Sequence, residues 1–149
     1  MPRSLKPDNE ALRLDNQLCF ALYSTSLAMT KMYKPMLEAI RLTYPQYLAM
    51  LVLWEEDGLT VSEIGERLLL DSGTLTPLLK RMEATGLLAR LRDTEDERRV
   101  RVKLTAAGNS LRVQAAEIPS CVRDITGCSV SELHSLSQSI KKFRKRLMG

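Results

Sequence analysis

A mainly α-helical fold carrying one small β-hairpin, in the winged helix-turn-helix arrangement, is what this sequence predicts. Three observations between Thr60 and Leu104 lead there. Val61, Ile64 and Leu68 recur at i, i+3 and i+7, the apolar stripe of a short amphipathic helix. Leu69-Leu70-Asp71-Ser72-Gly73 follows as a turn, with Asp71 or Ser72 as the cap of a second helix. That helix carries Leu75, Leu78, Leu79 and Met82 on one face, and Gly86 stops it. Two short runs come next, Leu87–Arg92 and Arg99–Leu104, of which the second strictly alternates basic and apolar residues, as a half-buried strand does. The polar loop between them, Asp93–Arg98, is too long for a two-residue hairpin turn.

The remaining elements follow in order. Met1 to about Glu10 is polar and is expected to be a frayed arm. A long helix is expected from near Ala11 to about Ile40. Its Leu14, Leu18, Ala21, Leu22, Leu27, Met29, Met32 and Met36 supply more apolar surface than one contact needs, and Pro35 should kink its last part. Such a surplus is buried against a second chain. Thr43-Tyr44-Pro45 leads into a helix over 46–56 with Tyr47, Met50, Leu51 and Trp54 on one face, closed by Asp57-Gly58. Pro77 lies inside the second helix of the turn motif, where it lacks an N–H and crowds a carbonyl. A distorted first turn or a later helix start is expected there. Thr105 caps a helix that runs to about Thr126, interrupted near Pro119 and ended by Gly127. Ser129 or Ser131 opens a last helix with Leu133, Leu136, Ile140 and Phe143 in register. Its cations Lys141, Lys142, Arg144, Lys145 and Arg146 suit a helix C-terminus.

These elements divide one compact domain into three parts. An N-terminal arm and long dimerisation helix span 1–40, the winged module spans 41–104, and C-terminal dimerisation helices span 105–149. A symmetric homodimer would set two second helices one DNA turn apart, about 34–36 Å.

The chain has 149 residues, 44% of them hydrophobic, enough for one core. The net charge of +4 is modest, so location matters more than the total. From Lys80 to Lys103 eight basic residues face five acidic ones, a local surplus of +3 where phosphate contact is suspected. The second helix leaves Ser72, Thr74, Thr76, Lys80 and Arg81 on its free face, a set suited to the major groove of double-stranded DNA, with the wing reaching the minor groove. No apolar run approaches the ~18 residues of a membrane span, and the N-terminus carries no signal-peptide core, so a cytoplasmic protein without membrane contact is expected. Three cysteines without a CxxC pair argue against a disulfide framework.

Outside the winged module, Cys19, the four tyrosines and the pair Cys121/Cys128 carry potential chemistry. A lone cysteine on an apolar helix is more often inert core. Tyr33 is about 21 Å along a straight helix from Cys19 and cannot reach it within that helix. An antiparallel partner could bring its own Tyr33 alongside, and phenol donors to sulfur would favour the thiolate.

The layout resembles the MarR family of winged-helix repressors, and within it the organic hydroperoxide resistance regulators. The matching residues are Leu14–Tyr23 (LDNQLCFALY), Tyr33, Thr43–Tyr47 (TYPQY), Leu70–Leu79 (LDSGTLTPLL) and Asp96-Glu97-Arg98. The resemblance implies a repressor that is not an enzyme and needs no cofactor or metal. Its partners would be operator DNA, a second copy, and an organic hydroperoxide as oxidant. Cys19 would be the sensing thiol. Tyr33 and Tyr44 would bond its sulfur across the dimer, with Tyr23 nearby. Ser72, Thr74 and Arg81 match recognition-helix contacts and Arg90 a backbone contact. Arg98, held by Asp96, matches a minor-groove arginine. A late cysteine implies the two-cysteine type, which closes an intersubunit disulfide. Cys121 is the first choice and Cys128 the alternative.

Three other readings stay open. A small aromatic acid in the dimer cleft could release the repressor. Cys121, Cys128 and His134 could bind a metal, though loosely spaced and lacking a fourth ligand. A thiol peroxidase is disfavoured by the absence of CxxC, of a βαβ pattern and of an arginine beside Cys19.

Overall fold

Helix caps set the element boundaries. The computed structural model describes residues 9–149, so most of the arm expected at Met1–Glu10 lies outside the described residues. A 3-10 turn over Leu14–Asn16 precedes α1 (Leu18–Glu38), α2 (Tyr44–Glu55), α3 (Val61–Leu68) and α4 (Ser72–Ala84). Strands β1 (Leu88–Arg92) and β2 (Val100–Leu104) lead to α5 (Ala106–Ala115), α6 (Ile118–Thr126) and α7 (Val130–Met148). Thr43, Thr60, Asp71, Thr105 and Ser129 each accept a hydrogen bond from the N–H three residues on. Each such cap is worth about 1 kcal/mol. Thr43–Gln46 and Ser129–Glu132 close full capping boxes.

Three expectations are corrected. The first helix begins at Leu18, not near Ala11, and ends at Glu38. The Asn16 amide donates to the Glu10 carbonyl (2.7 Å), and the Gln17 amide donates to the carbonyls of Ala11 (2.7 Å) and Arg13 (3.0 Å). These bonds hold the preceding backbone in turns that compete with helix. α1 continues through Pro35 for one more turn. Pro77 causes neither a late start nor a broken first turn. α4 runs unbroken from Ser72, with Asp71 Oδ1 accepting from Thr74 N (2.7 Å) and the Asp71 carbonyl accepting from Leu75 N (3.0 Å). The proline removes the donor that the Gly73 carbonyl would have met; both residues are exposed, so water can serve that carbonyl. Leu51 is exposed, and Ala49, Val52 and Leu53 are buried instead, because α1, α3, α4 and α5 all contact α2 and cover more than one face of it.

Met50, Leu53, Ile64, Leu75, Leu79, Met82, Leu88 and Val102 form the fully buried centre, drawn from α2, α3, α4 and the hairpin. The α3–α4 turn is tight. Leu69 takes a left-handed φ of 58°, and a Cβ on Gly65 would lie 2.7 Å from the Leu70 carbonyl oxygen. The hairpin pairs Leu88 with Leu104 through to Arg92 with Val100. The segment before α3 adds to its far edge: Val102 N donates to the Leu59 carbonyl (2.8 Å), Gly58 N to the Val102 carbonyl (3.1 Å), and Thr60 bridges Arg101. The wing is thus fastened to the chain that feeds the helix-turn-helix.

Against this core, α1 buries only Leu37 and α7 buries nothing. Leu18, Ala21, Leu22 and Thr25 line a groove with Leu136, Ile140 and Phe143, while Tyr33 shares one with Leu133, His134 and Ser137. The two helices therefore run antiparallel.

Candidate functional site

Ser72, Thr74, Lys80 and Arg81 are exposed on α4, and Thr76 is half-buried, as the apolar stripe on the opposite face requires. Beside them lies a cleft of about 240 Å³. Thr60, Ser62, Ser72 and Thr76 line one side, and Arg90, Arg98 and Arg99 the other. Sequence reasoning missed Thr60, Ser62 and Arg99. Arg99 was visible only as part of the basic alternation, and Thr60 and Ser62 enter because the α3 N-terminus folds against the hairpin.

Carboxylates orient these arginines. Glu83 Oε2 accepts from the Arg90 backbone N–H (2.6 Å), and Oε1 accepts from its Nε (3.3 Å) and Nη2 (3.2 Å). The backbone N–H of Arg90, followed by its guanidinium, holds the Glu83 carboxyl below the usual glutamate range. Asp96 Oδ1 accepts from the Arg98 N–H (3.1 Å) and Nε (3.2 Å), and Arg99 Nε lies 3.7 Å from Oδ2. The Arg98 side chain is nevertheless 92% exposed, so its remaining donors project outward. At the base of the wing, Asp93 is buried at 5% exposure and accepts from Arg101 Nε (3.2 Å), whose Nη1 donates to the Gly58 carbonyl (2.8 Å). Arg101 holds the Asp93 carboxyl low, as the Thr74 N–H does for Asp71.

Cys19 is the second residue of α1 and is exposed. The first turn there has no side-chain cap, and the helix dipole favours negative charge at such an end. Tyr23 lies one turn further and is exposed too. Tyr33 and Tyr44 lie together within the chain, with ring centroids 4.8 Å apart, and Tyr47 joins them at 6.0 and 6.3 Å. Burial, and for Tyr33 and Tyr47 also the neighbouring phenols, raises all three above the usual tyrosine value, so they stay protonated donors at neutral pH. Within one chain neither Cys19 nor Tyr23 meets this cluster, since Tyr33 follows Cys19 by about 21 Å along α1. Cys121 is half-buried beside Met36, Ile40 and Ile118. Cys128 sits at the α6–α7 corner, its Sγ 3.6 Å from the Thr126 carbonyl. Among the described residues no three His, Cys, Asp or Glu side chains converge as a metal site, and no helix is long and apolar enough to cross a membrane.

A helix-turn-helix with a hydroxyl- and cation-bearing second helix and an arginine-tipped wing defines a winged-helix transcriptional regulator. Comparison with known proteins agrees. The family model described as transcriptional regulator SarA/Rot matches residues 31–114. The organic hydroperoxide resistance transcriptional regulator of Bacillus subtilis is 50% identical over 129 residues, covering 87% of this chain and 88% of the relative. Among solved structures, reduced AbfR bound to DNA is 34% identical with a TM-score of 0.74, covering 95% of this chain and 99% of that one. Disulfide-formed AbfR is 37% identical with a TM-score of 0.65, covering 94% and 95%; AbfR comes from Staphylococcus epidermidis. The chain belongs to the MarR-type winged-helix transcriptional regulators, among the organic hydroperoxide resistance regulators.

Proposed function

We propose that this chain is a homodimeric cytoplasmic repressor, not an enzyme, that leaves its operator when an organic hydroperoxide oxidises Cys19. The observation that carries the reading is the setting of that thiol. It is exposed at the start of α1, on a helix whose Leu18, Tyr23 and Leu27 stay half or more exposed among the described residues. A second copy is the natural cover for such a face. Residues 1–40 and 105–149 would supply the dimer layer and 41–104 the DNA module. An antiparallel partner helix would bring that subunit's Tyr33 and Tyr44 hydroxyls to the Cys19 sulfur, with Tyr23 beside it.

On DNA, Ser72, Thr74, Thr76, Lys80 and Arg81 would face the major groove, Arg90 a phosphate, and the Asp96-held Arg98 the minor groove. On oxidation the thiolate attacks one peroxide oxygen and the O–O bond breaks. The alkoxide takes a proton and leaves as the alcohol, and sulfur becomes sulfenic acid. The thiol of Cys121 from the other subunit, with Cys128 as the alternative, then displaces the sulfenic oxygen as water and closes a disulfide. That bond needs Cα atoms within about 7 Å, so if the two cysteines start further apart helices must shift, and that shift would move the two wings off register. The relatives named above as a hydroperoxide resistance regulator and as reduced and disulfide-formed AbfR support this cycle.

Cys19→Ser is expected to keep DNA binding and to stay bound when cumene hydroperoxide is added. Release of that variant by the peroxide would remove Cys19 from the sensing role. A second reading has its own observation. Tyr33, Tyr47, Arg123 and His134 line a cavity of about 370 Å³ suited to an aromatic acid. Release by salicylate under reducing conditions would favour it.

A further inference from the structure

The cleft between α4 and the wing holds an arrangement that a charge count would misread. Glu83 is an acid at the C-terminal end of α4, beside a surface proposed above to meet phosphate. By simple electrostatics its charge should weaken binding to DNA. Yet its carboxylate takes three hydrogen bonds from a single residue, Arg90: the backbone N–H at 2.6 Å, Nε at 3.3 Å and Nη2 at 3.2 Å. The pair is partly sheltered, with side-chain exposures of 36% and 25%. Arg90 also lines the cleft opposite the hydroxyls of Ser72 and Thr76.

A guanidinium has five N–H donors. Glu83 engages two of them, on the Nε and Nη2 edge, and leaves the Nη1 side for another acceptor. Arginine loses several rotatable bonds when it binds a phosphate. A carboxylate that already fixes its plane removes that cost before DNA arrives. Resting on the DNA-binding reading above, we propose that Glu83 is a positioning residue for DNA binding, presetting the Arg90 guanidinium across the cleft toward one backbone phosphate. Its loss should weaken binding even though the protein becomes more positive by one charge.

The test uses the full-length reduced protein and a mixed-sequence 30-base-pair duplex at low salt, since phosphate contacts do not depend on sequence. Glu83→Gln is expected to bind roughly three- to tenfold more weakly at fixed salt, the scale of one charge-assisted contact in a partly solvated setting. Arg90→Ala, which removes the cation itself, should make the slope of log affinity against log salt shallower by about one unit, whereas Glu83→Gln keeps that cation and should leave the slope near the wild-type value. A thermal unfolding curve accompanies each variant, and Glu83→Asp is expected to recover part of the loss. In an Arg90→Ala background, Glu83→Gln should cost nothing further. Tighter binding by Glu83→Gln, or an unchanged salt slope for Arg90→Ala, overturns the proposal. So does an equal loss in the Arg90→Ala background, because Glu83 would then act only through the backbone N–H that ties β1 to α4. If the wild-type protein binds no duplex even at low salt, the DNA-binding reading itself fails, a result distinct from these.

Discussion

Replacing Gly108 with alanine tests the joint between the winged module and the C-terminal helices. Gly108 lies in the first turn of α5, buried against the residue that leads into β1. A Cβ there would sit 2.1 Å from the Leu87 carbonyl oxygen and 3.2 Å from both the Leu87 carbonyl carbon and Leu104 Cδ2. Ordinary contact requires more than 1 Å of extra separation from that oxygen, and the obstacle is backbone. The Leu87 carbonyl is already fixed by Thr105 N (3.1 Å), so it cannot swing aside freely. The Gly108 carbonyl also accepts the indole N–H of Trp54 at 2.9 Å, which ties α5 to α2. Overpacking of this kind costs about 1–3 kcal/mol, and losing the indole bond costs about 1 kcal/mol more. Better helix propensity returns about 1 kcal/mol. The net is a loss of about 1–3 kcal/mol, or a fall in melting temperature of roughly 3–10 °C. Trp54 is the sole tryptophan, so its fluorescence should shift toward that of a solvated indole, alongside thermal unfolding followed by circular dichroism. Wild-type stability with unchanged emission would refute the claim that backbone closeness at Gly108 sets the α5 joint.

Other expectations concern charge and sulfur. Asp71, Glu83 and Asp93 titrate below their usual values in the folded protein, so the stability they lend is full above the ordinary carboxylate range and is lost as pH falls through their lowered values. Urea midpoints should be level near neutrality and drop only below about pH 4; Asp93→Asn should flatten part of that drop, and an unchanged pH profile would argue against the Arg101 bond. Arg98→Ala should weaken operator binding by roughly 1–3 kcal/mol, with equal affinity at fixed salt removing the wing tip from the interface. Cys121→Ser should abolish peroxide-induced crosslinked dimer on a non-reducing gel, whereas persistence of the crosslink would move the resolving role to Cys128.

Much of the fold is legible locally. The caps at Thr43, Asp71, Thr105 and Ser129, the stops at Gly58, Gly86 and Gly127, and the alternation of β2 all concern residues a few positions apart. Short-range periodicity and capping chemistry are written in the order of the residues, and the structure follows them. The late start of α1 was less legible, because side-chain amides of Asn16 and Gln17 compete with the helix for backbone carbonyls without interrupting the apolar pattern.

By itself the sequence determined the order of elements, the apolar stripes, the cationic face of the second helix and the cysteine held on the first. Tertiary structure decided what packing alone can bring together. It folded Tyr47 onto Tyr33 and Tyr44, and drew Thr60 and Ser62 up to the wing arginines. It also set Glu83 against Arg90, and buried Asp93 beside Arg101. Each of these depends on distances between separate elements, which are fixed by how side-chain volumes fill the shared core rather than by any spacing along the chain.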